Sequence, residues 1–158
     1  LARVDWSRDG KTLYVQRQSR DQRRLDLLAV AVDTGKSRIL LSETSPHWVD
    51  LSDDFRALDN GRFLWSSERT GWKHLYLYDA DGKLIRPITS GDWPVDALQG
   101  LNESRGQVIF TAHRESPVEQ GLYSASLDKT SPPKALTSPG GWWTAKVAGR
   151  GGSLRRHL

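Results

Sequence analysis

Three stretches of this 158-residue chain close on the same device: a strand, a short turn containing Thr or Ser, and a tryptophan. The copies are Ile88-Thr89-Ser90-Gly91-Asp92-Trp93-Pro94-Val95, Leu136-Thr137-Ser138-Pro139-Gly140-Gly141-Trp142-Trp143 and, more loosely, Leu41-Ser42-Glu43-Thr44-Ser45-Pro46-His47-Trp48-Val49. The tryptophans at 48, 93 and 143 lie 45 and 50 residues apart. That interval suits one four-stranded antiparallel blade per repeat. A blade buries its faces only against neighbouring blades. The pattern therefore constrains the chain to an all-β fold of about three blades, an incomplete β-propeller and so a piece of something larger.

Within each repeat, short runs rich in branched and aromatic residues alternate with turn residues. The turns are Arg8-Asp9-Gly10-Lys11, Asp33-Thr34-Gly35-Lys36, Asp59-Asn60-Gly61-Arg62 and Asp79-Ala80-Asp81-Gly82, where Gly tolerates the positive φ of a tight hairpin. Leu25 to Val32 is the one contender for a helix, but its place between hairpin loops favours a strand. The expected blades span 3–44, 48–92 and 94–138, giving a partial propeller over 1–145. After Thr144 the pattern fails in a Gly-rich basic stretch, and 146–158 reads as a disordered basic tail or an artefact of how the chain ends.

The formal charge of +4 invites a nucleic-acid reading, but Lys146, Arg150, Arg155 and Arg156 supply all of it. The other 145 residues balance 19 basic against 19 acidic side chains, whereas a phosphate-binding groove needs clustered Lys and Arg. The run Arg17 to Arg24 is interrupted by Asp21 and reads as a solvated hairpin loop. No nucleic-acid partner is expected. No apolar stretch approaches the ~18 residues of a membrane span, and with no cysteine there is no disulfide framework or Cys-based zinc site.

Catalytic signatures are missing. There is no Gly-x-Ser-x-Gly elbow, no His-Glu-x-x-His and no phosphate-binding glycine loop. His47, His74, His113 and His157 stand apart at no metal-ligand spacing, and His74, inside a strand, reads as a structural histidine. Asp50, Asp53 and Asp54 lack the pattern of a calcium loop and read as a solvated acidic turn. Asn102-Glu103-Ser104 is a glycosylation sequon of a kind that arises often by chance. Tryptophans 48, 93, 142 and 143 are expected to pack between blades. No catalytic residue, metal or cofactor is assigned.

The run Ser66-Ser67-Glu68-Arg69-Thr70-Gly71-Trp72-Lys73-His74-Leu75-Tyr76-Leu77-Tyr78 resembles a blade hairpin of the dipeptidyl peptidase IV family of serine peptidases. Val4-Asp5-Trp6-Ser7-Arg8-Asp9-Gly10-Lys11 looks like that family's Trp-Ser-Pro-Asp-Gly turn, with Arg8 in place of proline. Leu84 to Val95 resembles its Thr-x-Gly-x-Trp-x-Val blade end, and Trp48-Val49 falls where relatives have Trp-Val. The resemblance marks Glu68, Gly71, Trp72, His74 and Tyr76 as structural motif residues. It implies a parent that removes N-terminal dipeptides, usually after proline, from small peptides, and that is homodimeric and periplasmic or secreted. The implied Ser-Asp-His triad belongs to a C-terminal α/β-hydrolase domain, and the glutamates that hold the substrate's amino group to an earlier propeller segment, both expected outside this chain. Where mammalian relatives carry Arg-Phe-Arg, Asp50-Leu51-Ser52 stands here, so that anchoring role does not carry over.

The expected role is a non-catalytic wall that gates peptide access to the hydrolase domain, with Trp48, Asp50 and Leu51 on a loop facing the substrate chamber and no activity in the fragment alone. The alternatives are a non-enzymatic propeller scaffold for protein interaction and a carbohydrate-binding module using Trp142 and Trp143. Self-association is also expected, because unpartnered blade faces carrying Leu13, Val15, Val108 and Phe110 would be exposed.

Overall fold

Hairpin turns followed by alternating runs produce sheets in strict chain order. The computed structural model describes residues 2–146 and 153–157. Among the described residues there are three four-stranded antiparallel sheets, each a meander. The first is β1 (Ala2–Trp6), β2 (Thr12–Gln18), β3 (Arg24–Ala31) and β4 (Ser37–Thr44). The second is β5 (Arg56–Ala57), β6 (Phe63–Ser67), β7 (His74–Tyr78) and β8 (Leu84–Pro87). The third is β9 (Val95–Asn102), β10 (Gln107–Ala112), β11 (Gly121–Ser126) and β12 (Lys134–Ala135). The all-β blade reading holds, and the Leu25–Val32 segment is strand up to Ala31, where β3 ends.

The turn before β2 shows how the sequence sets the register. The Ser7 hydroxyl donates to Asp9 Oδ1 at 2.7 Å and accepts the Thr12 N–H at 2.9 Å, while Lys11 N–H donates to Asp9 at 3.0 Å. Gly10 then takes φ 69°, which an L-residue would adopt only at a cost. The same device recurs between β2 and β3. Ser19 donates to Asp21 at 2.5 Å and accepts from Arg24 N–H at 3.1 Å, with Gln22 in the positive-φ position at 59°. In both turns the serine hydroxyl holds the aspartate carboxyl below its ordinary range, helped by a backbone N–H.

Two compact units are distinguished, Leu1–Trp65 with Leu77–Arg86, and Ser66–Tyr76 with Pro87–Leu158. The first has an aromatic core in which Tyr14 lies 5.0 Å from Phe55 and Phe63 stacks on Tyr78 at 5.2 Å. In the second, Phe110 stacks between Trp93 at 6.3 Å and Tyr123 at 6.0 Å. Aromatic pairs at such distances add about 0.5–1.5 kcal/mol beyond burial. All five residues of β7 are buried, so both faces of that alternating strand are covered.

Three expectations need correction. Val108 and Phe110 are 0% exposed, because Trp93 and Tyr123 close over the ring of Phe110; they belong to the core rather than to an open face. Trp48 is 65% and Trp142 52% exposed, so the blade-end tryptophans do not share one packing role. Finally, Ser153–His157 forms a strand, β14, paired antiparallel with β13 (Trp142–Lys146). Pairing with Trp142–Lys146 gives Ser153–His157 the backbone partners that its composition does not advertise. The rest of the expected tail, 147–152 and 158, lies outside the described residues.

Candidate functional site

The loop after β4 is held to the first sheet by backbone-directed bonds. Ser45 N–H donates to Arg23 O at 3.0 Å and Val49 N–H to Gln22 O at 2.7 Å. Gln18 Nε2 donates to Val49 O at 2.7 Å. Gln16, 1% exposed on β2, uses both ends of its carboxamide on one residue: Nε2 donates to Ser52 O at 2.8 Å and Oε1 accepts Ser52 N–H at 2.8 Å. A buried amide matched this way acts as a strand rung, and its loss would leave buried polar groups unpaired. Arg3 adds a bond to Ser52 O at 3.1 Å and an ion pair with Asp53.

This scaffold presents side chains to solvent without using them for packing. Trp48 and Asp50 are exposed and Leu51 is half-buried, with the His47 ring 6.3 Å from that of Trp48. The three aspartates expected to form an acidic turn diverge: Asp50 is exposed, Asp53 pairs with Arg3, and Asp54 is buried. A tethered loop with an exposed indole and, two residues on, an exposed carboxylate can stack on an apolar or planar group and accept a hydrogen bond from an amine or amide.

The motif hairpin between β6 and β7 has a different character. Glu68 is exposed and its carbonyl accepts Gly71 N–H at 2.9 Å, with Gly71 at φ 91°. The Arg69 guanidinium lies 4.2 Å over the ring of Tyr76, and Trp72 is 42% exposed. His74 is 1% exposed, and its Nε2 meets Gly91 O at 2.9 Å while Nδ1 meets Thr89 Oγ1 at 2.9 Å. A carbonyl only accepts, so Nε2 carries the proton and Nδ1 accepts from the Thr89 hydroxyl. That hydroxyl in turn accepts Leu75 N–H at 3.0 Å, and Trp93 meets the imidazole edge-on at 5.1 Å. The chain Leu75–Thr89–His74–Gly91 thus ties β7 to the blade-closing turn and leaves neither imidazole nitrogen open for catalysis.

A cavity of about 290 Å³ is lined by Glu119, Gln120, Tyr123, Thr137, Gly140 and Trp143, among others. Gly140 N–H donates to Glu119 at 3.3 Å. Burial, followed by the charge of Glu115, raises the Tyr123 hydroxyl above its ordinary pKa. Trp142 and Trp143, adjacent on β13, project to opposite faces, and only Trp143 lines this cavity.

A sequence profile described as the dipeptidyl peptidase IV (DPP IV) N-terminal region matches residues 1–154. The chain belongs to this family. Dipeptidyl peptidase 4 of Trichophyton rubrum is 26% identical over 96% of the chain and 20% of the relative. The probable dipeptidyl-aminopeptidase B of Emericella nidulans is 29% identical over 94% of the chain and 18% of the relative. The crystal structure of Porphyromonas gingivalis dipeptidyl peptidase 4 superposes with a TM-score of 0.85 at 26% identity, covering 93% of this chain and 21% of that one. The chain thus spans about a fifth of the length of the curated relatives it matches, and its three sheets match a part of a dipeptidyl peptidase 4. As a DPP IV N-terminal region, it carries the Gly71–His74 hairpin as a strap within the fold. Sequence reasoning missed Gln16, because its partner Ser52 lies 36 residues away.

Proposed function

We propose that this chain is a non-catalytic wall segment of a serine-type dipeptidyl peptidase, working with an α/β-hydrolase domain carried elsewhere in the parent protein. The observation that carries the reading is the family match over residues 1–154, joined to relatives that are dipeptidyl peptidases about five times as long. The segment roofs the reaction chamber and admits small peptides. The loop carrying Trp48, Asp50 and Leu51 faces that chamber, and its support is the Gln16–Ser52 clamp, which ties the backbone of that loop to β2. The opposite projection of Trp142 and Trp143 argues against a flat saccharide platform.

Two measurements test this. The purified chain leaves glycyl-prolyl and alanyl-prolyl chromogenic substrates intact, because His74 has no free nitrogen and no triad is assembled among the described residues. Turnover lost on substituting one histidine would place a catalytic site here and overturn the reading. In the parent protein, Trp48→Ala raises KM for extended peptides several-fold and leaves kcat unchanged. An unchanged KM would put the loop outside the chamber.

A further inference from the structure

We propose that the third sheet carries a binding site for a planar nitrogen heterocycle of the imidazole kind, in the place where the second sheet carries its own histidine. Matching bonds tie β7 and β11 to the blade-closing turns that follow them. Leu75 N–H donates to Thr89 Oγ1 at 3.0 Å, and Leu122 N–H to Thr137 Oγ1 at 3.1 Å. Ile88 N–H donates to Leu75 O and Leu136 N–H to Leu122 O, both at 2.8 Å. Val95 N–H donates to Lys73 O at 2.8 Å, and Trp143 N–H to Gln120 O at 3.3 Å. This register lays Lys73-His74-Leu75-Tyr76 on Gln120-Gly121-Leu122-Tyr123. Gly121 therefore stands where the second sheet has His74.

Glycine keeps the backbone of the motif and drops its ring. In the second sheet the imidazole joins strand to turn, with Nδ1 on Thr89 Oγ1 and Nε2 on Gly91 O. In the third, the cavity of about 290 Å³ borders Gly121 and Thr137, a volume suited to a small ligand. All its lining residues fall within 115–143, the hairpin and closing turn of that sheet. A side chain at 121 would put its Cβ 2.9 Å from Tyr123 Cε2 and Oη, so it would have to displace that ring. A detached heterocycle meets no such constraint. The polar groups suit it. Thr137 Oγ1 accepts Leu122 N–H and keeps its own O–H for a bare ring nitrogen, as Thr89 does for His74. For the ring N–H the cavity offers a carboxylate in place of a carbonyl. Glu119, whose Oε2 accepts Gly140 N–H at 3.3 Å, lines it together with Glu115 and with no basic side chain among the described residues. Two carboxylates favour an N–H donor and disfavour an anion, and Tyr123 and Trp143 supply aromatic walls for a flat ring.

Amide NMR of the purified chain titrated with imidazole tests this. The Leu122 and Thr137 signals shift and saturate. 1-Methylimidazole, which has no ring N–H, binds at least tenfold more weakly. Glu119→Gln weakens imidazole at least tenfold, while its circular dichroism spectrum and melting temperature stay near those of the unsubstituted chain, because the amide oxygen still accepts Gly140 N–H. Histidine blocked at both ends separates the sources of the ring. Binding equal to that of imidazole assigns the site to a peptide side chain, and weaker binding assigns it to a free heterocycle. The absence of a saturable shift at Leu122 and Thr137 overturns the proposal. So does equal binding of imidazole and 1-methylimidazole, or imidazole binding that Glu119→Gln leaves unchanged.

Discussion

Asp26 is a carboxylate placed on a buried strand and kept ionised there by its neighbours. It accepts from Ser42 Oγ at 2.6 Å, Arg24 Nε at 2.8 Å and Arg17 Nη2 at 3.0 Å. Burial pushes its pKa up, but those three donors outweigh it and lower the pKa from an ordinary 3.8 to about 2. A depressed folded pKa contributes stability that is complete above the unfolded value and lost as pH falls through the folded one. The contribution is about 2 kcal/mol at most, since both guanidiniums are half exposed and screened. Asp26→Asn is therefore expected to lower the melting temperature at neutral pH, with the gap to the parent narrowing between about pH 4 and about pH 2. A gap that stays constant through that window would show that Asp26 is not held ionised by its neighbours. Gln22 shows the opposite relation between residue and backbone. Its φ of 59° is a glycine's, and the side chain is tolerated because the Ser19–Asp21 bonds and the Val49 contact to its carbonyl over-determine the turn.

At the scale of elements, side chains reinforce the backbone bonds that tie the blade-closing turn to β7, Ile88 N–H to Leu75 O and Val95 N–H to Lys73 O, both at 2.8 Å. Thr89 Oγ1 joins Leu75 N–H to His74 Nδ1, so Thr89→Val strands a donor and an acceptor in a buried place. The expected loss is about 2–4 kcal/mol, with Thr89→Ser recovering most of it. Chemical denaturation measures both, and a loss below ~0.5 kcal/mol for Thr89→Val would mean that the network does not hold the turn. Much of this element order was legible in advance. The Asp9-Gly10 turn, the alternation through His74–Tyr78 and the buried histidine all follow from local pattern. What was not legible lies in bonds between distant residues. Nothing near Gln16 announces Ser52, and nothing near Trp48 announces that its loop is held by Gln16, Gln18 and Gln22 while the indole stays outside. Tryptophan at a repeated position signals a repeated backbone; whether the ring is buried depends on which neighbours reach it.

Across the whole molecule, burial is graded in a way that sets where the fold opens first. The strands β3, β6, β7, β10 and β11 carry long buried runs, while β12 is exposed throughout and β8 nearly so. Local opening follows burial and hydrogen bonding. In hydrogen exchange the amides of Leu25–Ala29, Leu75–Leu77 and Val108–Ala112 should therefore be slowest, and those of β8 and β12 fast. The first sheet offers a finer test, because β1 is expected to exchange with a period of two. In dilute sample Arg3 and Asp5, bonded to β2, are protected, whereas Val4 and Trp6 face solvent and exchange quickly. Uniform exchange along β1 at low concentration would overturn the ladder assigned to it.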